Sequence, residues 1–302
     1  MWREGYVAGG GTRFFVRAVG HGPDVALLLH GWPEDGTAWR RVAPLLTSAG
    51  YRVVAPDLKG FGRSEAPHGG YDPETLADEM AQLIRNLHVR KAVVVGHDWG
   101  GAVALATAFR HPGRVVKLVI VDSPYRKLDL RRAWHIPLLN LPILPEAAFA
   151  HGGEALVRAA LRHGSVVSEA FTDDVVAQYA ASVGTNPKAW LAYYRTLSRR
   201  AVMDRAVRSV RRAVPGLPNP GAPNRLRVPV RVIWGERDPA TPLHLAQGVA
   251  DDLGGDLVTI PGVGHFPHEE DPLRFAQAVV DFVGHAPGVP DDADEADEAV
   301  NA

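Results

Sequence analysis

The segment VVVGHDWGGAVALA, which runs from Val93 to Ala106, predicts a strand, a tight turn and a helix in succession. The valines indicate the end of a buried strand, and the residues after the glycines indicate the start of a helix. The turn has the glycine spacing of G-x-S-x-G, in which a nucleophilic serine is exposed above a sheet. Its central residue here is Asp98. The segment therefore predicts an α/β sheet that presents a carboxylate where a hydroxyl is expected.

Strand and helix patterns alternate on both sides of this turn. Strands are predicted at 12–17, 25–30, 51–56, 91–96, 115–122, 228–235 and 256–260. Helices are predicted at 39–46, 73–87, 99–110 and 272–283. Between Ser123 and Asn224 only helical stretches, broken by prolines and glycines, are recognised. Because buried strands joined by crossover helices form parallel sheets, we expect one α/β domain, residues 1–125 and 225–285, interrupted by a helical cap at 126–224.

Composition narrows the class of protein. The chain has 302 residues, 46% of them hydrophobic, and a net charge of −1, so its overall charge gives no strong attraction for nucleic acid or an anionic membrane. It has no cysteine, which excludes disulfides, thiolate metal sites and a cysteine nucleophile. We recognise no secretion signal and no membrane-spanning apolar run, and expect a cytoplasmic protein. The acidic, aromatic-free segment 286–302 is expected to be a disordered tail.

Four short motifs fall at the carboxyl ends of predicted strands, where ligands bind in open α/β sheets. They are His30-Gly31-Trp32-Pro33, Asp98, Gly235-Glu236-Arg237-Asp238 and Gly264-His265. A nucleophile, then an acid, then a histidine is the chain order of the catalytic residues in α/β-hydrolases. The order therefore predicts a triad of Asp98, Asp238 and His265.

The motifs resemble those of the epoxide hydrolase branch of the α/β-hydrolases, over roughly residues 10–284. The resemblance rests on HGWPE at 30–34, DLKGFGRSEAP at 57–67, GHDWGG at 96–101 and GHFPHEEDP at 264–272. An aspartate at the turn is shared by epoxide hydrolases and dehalogenases. The resemblance implies an α/β-hydrolase fold, with a mostly parallel sheet, helices on both faces and an inserted helical cap.

A carboxylate at the turn suits attack on saturated carbon. A serine that attacked an sp³ carbon would form an ether, which water does not hydrolyse, whereas a carboxylate forms an ester. That ester has an electrophilic carbonyl, so activated water can break it and regenerate the carboxylate. Asp98 therefore points to a substrate with a leaving group on saturated carbon, such as an epoxide or a halide. The alternative is that Asp98 is only a helix N-cap, since aspartate is common there.

The resemblance also implies roles for the other members of the triad. His265 is the general base that activates water, and Asp238 orients its ring and stabilises the charged imidazolium. Asp122 is an alternative acid, because some relatives carry the acid at the end of that strand. His268 is interpreted as a surface residue or one that supports the site indirectly.

Two tryptophans are expected to act through their backbones. An oxyanion hole at such a turn uses the N–H after the nucleophile, here that of Trp99, and one from the loop after the early strand, here that of Trp32. Their side chains could line an apolar pocket or fill the core. Relatives have a cis peptide in the HG-x-P motif, so Trp32–Pro33 is a candidate for one.

Opening an epoxide requires an acid at the departing oxygen, and epoxide hydrolases of this type use cap tyrosines. Tyr194, which is followed by Arg195, resembles the second of these tyrosines. Its neighbour Tyr193 lies about 100° away on a helix, so only one is expected to point inward. Cap packing is the alternative role for Tyr194. The substrate-binding candidates are Tyr193, Trp134, His135 and Trp190. For the first cap tyrosine no clear match exists, and the candidates are Tyr125, Tyr179 and the pair Trp134 and His135.

Two further functions stay open on the sequence. Haloalkane dehalogenases share HDWG, and N–H groups of Trp99 and Trp134 could hold a halide, although many carry asparagine where this chain has Trp32. A haloacid substrate is disfavoured, because Trp99 and Ala102 occupy positions that such enzymes give to arginines. The fold could also serve as a binding module without turnover. The expected partner is a small apolar epoxide, with no cofactor, metal, nucleic acid or membrane, and a homodimer is one alternative for the oligomeric state.

Overall fold

One sheet of eight strands forms the centre of the molecule. The computed structural model describes residues 1–125, 135–213 and 226–284, with the side chains of 201–213 left out. The strands are β1 (Arg3–Gly9), β2 (Thr12–Val19), β3 (Asp24–Leu29), β4 (Tyr51–Pro56), β5 (Ala92–His97), β6 (Val115–Val121), β7 (Val230–Gly235) and β8 (Asp256–Ile260). They are ordered β1-β2-β4-β3-β5-β6-β7-β8, and β2 is antiparallel to both of its neighbours. The other pairs are parallel, which confirms the predicted sheet.

Helices connect these strands and cover the sheet. They are α1 (Ala43–Ser48), α2 (Pro73–Asn86), α3 (Trp99–Arg110), α4 (His135–Leu139), α5 (Leu144–Gly164), α6 (Asp173–Gly184), α7 (Pro187–Ala213), α8 (Ala246–Leu253), α9 (Pro267–Glu270) and α10 (Pro272–Val283). Every residue of β4 and β5 is buried, although successive side chains point to opposite faces. Both faces of the sheet are therefore covered, as expected for a parallel sheet joined by crossover helices.

Four of the helices, α4 to α7, form an insertion between β6 and β7, hereafter the helical insertion. Its described residues contain no strand, which agrees with the sequence pattern. The predicted cap boundaries at 126 and 224 and the predicted tail at 286–302 lie outside the described residues. Within the described ranges, no helix is both long and apolar enough to cross a membrane.

Three elements outside the helical insertion, β1, α8 and α9, were not predicted, and a fourth was misplaced. Strand β1 was not predicted, because its exposed and buried residues alternate at the sheet edge and give no apolar run. Helix α8 was also absent from the predicted order. The helix expected at 39–46 is instead a 3₁₀ turn at Gly36–Arg40 followed by α1, which has Pro44 in its first turn. Proline is tolerated in the first turn of a helix but not in its interior, so the helix begins here rather than at residue 39.

The connection from β5 to α3 packs backbone directly against backbone. A Cβ on Gly96 would lie 2.3 Å from the carbonyl oxygen of Gly100, and a Cβ on Gly100 would lie 2.2 Å from that of Leu29. Both distances are far below ordinary van der Waals contact. The glycines of GHDWGG therefore allow α3 to begin close against β3 and β5, which fixes where Asp98 stands.

We expect Gly96→Ala to lower the free energy of unfolding by about 1–3 kcal/mol, because the new methyl overlaps a backbone carbonyl that cannot move freely. Gly248 provides the control, since it lies within α8 and a Cβ there would meet nothing within 4 Å. Gly248→Ala should raise the free energy of unfolding by about 0.5–1 kcal/mol. Urea unfolding monitored by circular dichroism measures both effects. Similar effects at the two positions would contradict this explanation of the turn.

Candidate active site

Asp98 stands between β5 and α3 with a backbone φ of +48° and ψ of −115°. Few residues other than glycine adopt a positive φ, and such strain is concentrated at functional sites. The side chain makes no N-cap hydrogen bond, which argues against the helix-cap alternative. Instead its Oδ2 accepts a hydrogen bond from the N–H of Trp32 at 3.0 Å. The carboxylate is thus turned away from the helix and toward the loop that follows β3.

His265 lies in the loop after β8 and pairs with Asp238 from the loop after β7. Its Nδ1 is 2.8 Å from Oδ2 of Asp238, and both residues are buried. The same aspartate accepts hydrogen bonds from the N–H groups of Ala240 at 2.7 Å and Thr241 at 2.9 Å, and from the Thr241 hydroxyl. These contacts hold the carboxylate rigidly beneath the imidazole, so the ring is oriented by a fixed acceptor.

The charges of the site shift the pKa of His265 upward. Burial alone would lower it, but the Asp238 carboxylate, with smaller effects from Asp98 and Glu34, raises the pKa of His265 to about 9. In return the imidazolium holds the pKa of Asp238 below its ordinary value, against the effect of burial. The pair therefore favours the imidazolium–carboxylate state in the isolated protein.

Asp122 lies close to this pair but does not face the histidine in the same way. One of its oxygens accepts a hydrogen bond from the N–H of Gly235 at 2.9 Å, and its carboxyl group lies against that of Asp238. Burial, reinforced by the charge of Asp238, raises the pKa of Asp122 well above its ordinary value. Of the two candidate acids, the one hydrogen-bonded to His265 is Asp238.

The two tryptophans expected to act through their backbones both lie beside Asp98. The Trp32–Pro33 peptide is cis, as the HG-x-P pattern predicted. The N–H of Trp32 already reaches the carboxylate, and Trp99 is the first residue of α3, where backbone N–H groups have no acceptor within the helix. Both side chains are half-buried. The two backbone positions are those that an oxyanion at this turn would use.

Tyr194 and Tyr193 are both buried, which corrects the expectation that only one would point inward. The ring of Tyr193 packs against those of Phe61 and Tyr71, and the ring of Tyr194 packs against that of Trp190, so both tyrosines of α7 are covered. The hydroxyl of Tyr193 donates to the carbonyl of Lys59 at 3.0 Å. The rings of Tyr194 and Tyr193 lie 4.8 and 5.5 Å from that of Trp99, the residue after Asp98. Burial, with the charge of Asp98, raises the pKa of Tyr194, while a hydrogen bond from the Trp99 side chain acts in the opposite direction.

An aromatic wall continues from Tyr194 across the helical insertion. The ring of Trp190 lies 6.1 Å from that of Tyr194 and 5.6 Å from that of Trp32, and the ring of Phe149 lies 4.8 Å from that of Trp190. The indole N–H of Trp190 donates to a backbone carbonyl, so this side chain is an apolar surface rather than a donor. Phe149 was not predicted, because nothing in the pattern of α5 distinguishes it from other apolar residues.

The remaining substrate-binding candidates lie in different places. The ring of His135 is 6.4 Å from that of Tyr194, whereas Trp134 lies outside the described residues. The hydroxyl of Tyr179 is hydrogen-bonded to Glu269 and, at 3.2 Å, to Arg40. The ring of Tyr125 packs 6.2 Å from that of Phe109. Among the described candidates for the position of the first cap tyrosine, His135 is therefore the one whose ring lies against that of Tyr194.

A buried polar group behind the pair of Asp238 and His265 was not predicted. Glu34 bridges His97 at 2.8 Å and His268 at 2.7 Å, and His97 also contacts the carbonyl of His265 at 2.8 Å. His268 is fully buried, which excludes the first of its two interpretations, a surface residue, and agrees with the second, a residue that supports the site indirectly. Burial alone would raise the pKa of Glu34, but the two histidines hold it well below its ordinary value. The only sequence signal for this group was the glutamate of HGWPE, and its histidine partners come from two distant motifs.

Two buried groups contain the ligand types of a cation site. They are Glu34, His97 and His268, and Asp122, Asp238 and His265, with ligand atoms within 4.8 Å of one another in each group. In both, histidine nitrogens are hydrogen-bonded directly to a carboxylate. A metal would have to break these contacts, so the arrangement fits hydrogen-bonded pairs better than a cation.

Replacing Asp238 with asparagine should lower the pKa of His265 from about 9, because the carboxylate that chiefly opposes the effect of burial is lost. The imidazole would then lose its proton at a lower pH than in the wild-type protein, where it stays charged until the pH rises through about 9. NMR titration of ring-labelled histidine measures both values. Asp256→Asn is the control, since Asp256 pairs with Arg231. An unchanged pKa in Asp238→Asn would contradict the assignment of Asp238 as the partner.

Comparison with known proteins agrees with this architecture. A sequence profile described as alpha/beta hydrolase fold matches residues 25–272. The chain is 28% identical to the AB hydrolase superfamily protein YfhM of Bacillus subtilis, over 92% of this chain and 96% of that protein. It is 29% identical to epoxide hydrolase 3 of Xenopus tropicalis, over 90% of this chain and 75% of that protein. The structure of an epoxide hydrolase mutant from Vigna radiata is 25% identical, with a TM-score of 0.77, and the match covers 93% of this chain and 98% of that chain. This chain belongs to the alpha/beta hydrolase fold family.

Proposed function

We propose that this protein is an epoxide hydrolase that opens an epoxide to a vicinal diol through a covalent ester on Asp98. The observation that carries the proposal is the meeting of three groups around one turn. The Asp98 carboxylate is presented on the strained turn, the buried phenol of Tyr194 lies beside it across Trp99, and His265 is paired with Asp238. A carboxylate, a phenolic acid and a base are the groups that ring opening followed by ester hydrolysis requires.

In the first step a carboxylate oxygen of Asp98 attacks an epoxide carbon, and the ring C–O bond breaks. The proton of the Tyr194 hydroxyl passes to the departing oxygen, which leaves an alkyl ester bearing a neighbouring hydroxyl. An ordinary tyrosine is protonated at neutral pH, and the upward shift in the pKa of Tyr194 keeps it so until the substrate takes the proton.

In the second step water attacks the ester carbonyl. His265 gives up the proton that it carries at neutral pH and then, as the neutral imidazole, accepts the proton that the water loses. The backbone N–H groups of Trp32 and Trp99 stabilise the oxyanion. Collapse of the intermediate releases the diol and regenerates the Asp98 carboxylate, and a proton returns to Tyr194. The overall reaction consumes one epoxide and one water. No cofactor enters the proposed steps.

The aromatic surface of the helical insertion supports a small apolar substrate. The rings of Trp190, Phe149 and Trp32 pack together next to Tyr194, so this side of the proposed site is aromatic. In this proposal the segment 126–224 is the cap that closes over the nucleophile and provides its acid. The likeness to proteins named as epoxide hydrolases from Xenopus tropicalis and Vigna radiata supports the same substrate class.

Two alternatives are less well supported. A haloalkane dehalogenase needs N–H donors for the halide, and of the two tryptophans expected to provide them, Trp134 lies outside the described residues. A binding module without turnover would not need a complete arrangement of nucleophile, base and acid. The dehalogenase shares the ester on Asp98, so the mass of the intermediate separates it from the epoxide hydrolase.

In His265→Gln, alkylation of Asp98 should proceed while hydrolysis stalls, because attack by an ionised carboxylate needs no base whereas water must lose a proton. After exposure to styrene oxide, intact-protein mass spectrometry should detect one adduct with the mass of the whole epoxide. Peptide mapping should locate it on Asp98. His151→Gln, a substitution on the exposed side of α5, should turn over like the wild-type protein.

Failure of every tested epoxide to modify the folded His265→Gln protein would contradict the proposed function. An adduct formed from a haloalkane with loss of the halogen, and not from epoxides, would favour the dehalogenase instead. Full turnover without an adduct would mean that the base lies elsewhere.

Tyr194→Phe should slow formation of the ester by about 10²–10⁴-fold, because the departing oxygen loses its proton donor. Hydrolysis of an ester already formed should change little. Tyr193→Phe is the matched control: it removes the hydrogen bond to Lys59, and should cost about 0.5–1.5 kcal/mol of stability with a smaller effect on alkylation. Stopped-flow tryptophan fluorescence, calibrated by quenched-flow mass spectrometry, measures the two steps. If Tyr193→Phe had the larger effect on alkylation, the acid would have been assigned to the wrong tyrosine.

A further inference from the structure

Glu270, the last residue of α9, is a buried carboxylate with an unusual set of partners. It accepts hydrogen bonds from the N–H of Gly264 at 3.0 and 3.1 Å and from the N–H of Phe266 at 3.2 Å. These two residues flank His265 in the chain. One side chain therefore holds the backbone on both sides of the proposed base.

The same carboxylate also reaches the helical insertion. Its Oε2 accepts hydrogen bonds from the N–H groups of Val166 at 2.7 Å and Val167 at 2.8 Å, just after the end of α5. The N–H of His265 in turn donates to the carbonyl of Gly164 at 2.8 Å. Three consecutive N–H groups, those of residues 264–266, are thus fixed either by Glu270 or by the segment 164–167 that Glu270 binds.

This contact leaves no room for side chains between the two backbones. A Cβ on Gly264 would lie 2.4 Å from the carbonyl oxygen of Gly164, and a Cβ on Gly164 would lie 2.8 Å from the Phe266 ring. The rings of Phe171 and Phe266 pack beside it at 5.2 Å. Movement of the segment 164–167 would therefore displace the loop of His265 unless these hydrogen bonds broke.

We propose that Glu270 is a positioning residue that couples the helical insertion to His265. It joins segment 164–167 and loop 264–266 into one unit, so that the imidazole is aimed at the ester only while the insertion is seated. The proposal rests on the proposed function, because it assigns Glu270 to the second of the two steps. A carboxylate is required here, since it only accepts hydrogen bonds and four backbone N–H groups converge on it.

In Glu270→Gln the amide NH₂ replaces one acceptor oxygen and faces backbone donors. Single-turnover experiments with enzyme in excess should show ester formation within about 2-fold of wild type and ester hydrolysis slowed by about 10–100-fold, since the base is displaced but the nucleophile is not. The alkyl-enzyme should accumulate during turnover. Glu270→Asp keeps the charge but shortens the reach, and should recover part of the hydrolysis rate relative to the glutamine variant.

Glu236→Gln is the matched control, because Glu236 accepts a hydrogen bond from the N–H of Gly262 at 2.9 Å in a nearby loop and is exposed. It should hydrolyse the ester at the wild-type rate. A folded Glu270→Gln protein that did the same, or that lost both steps equally, would overturn the proposal.

Hydrogen exchange in the wild-type protein tests the coupling without any substrate or substitution. If Glu270 joins the two segments, the amides of Val166, Val167, Gly264 and Phe266 should open with the same free energy across a series of low denaturant concentrations. Exchange of the Val166 and Val167 amides more than about 10-fold faster than that of the loop amides would overturn the proposal. This measurement decides the coupling even if Glu270→Gln does not fold. Failure of the proposed function, in contrast, would appear as a missing adduct in His265→Gln.

Discussion

Asp98 holds its backbone at a φ of +48°, a conformation that costs a residue with a side chain about 1–3 kcal/mol. It is kept there by contacts on every side of the peptide. Its N–H donates to the carbonyl of Val121 at 3.1 Å, and its carbonyl accepts from the Ser123 hydroxyl at 2.8 Å and from the N–H of Ala102 at 3.2 Å. The end of β6 and the first turn of α3 thus share the work of holding the carboxylate above the sheet. Any displacement of these elements would let the turn relax and would move the proposed nucleophile.

The positions of Asp98, Asp238 and His265 could be predicted because each follows a strand of one parallel sheet. The carboxyl ends of such strands meet at one edge, so the chain order of motifs is enough to bring the side chains together. The contributions of Phe149 and Glu270 could not be predicted in this way. Each depends on how helices of the insertion pack against the core, and helical packing leaves only a general apolar pattern in a sequence.

The helical insertion meets the core partly through polar contacts. Tyr179 reaches Glu269 and Arg40, and Ser182 accepts a hydrogen bond from the N–H of Gly62 at 2.9 Å. A hydrogen bond lost to water costs little net free energy where water can replace the partner, whereas a buried apolar contact loses its full transfer energy. The polar contacts therefore fix the position of the insertion, but they contribute little to the free energy that holds it against the core. The burial of Tyr179 and Glu269 makes their contact the costly one to open.

The electrostatic link between Asp98 and His265 changes during the proposed cycle. The negative charge of Asp98 is one of the influences that raise the pKa of His265. Formation of the ester takes that charge away from Asp98, and in the proposed first step it passes to the phenolate of Tyr194. The contribution of Asp98 to the pKa of His265 is then lost, while the larger contribution of Asp238 remains. Ester formation on Asp98 thus changes the proton affinity of the base in the direction that the second step needs, because His265 must be neutral to take a proton from water.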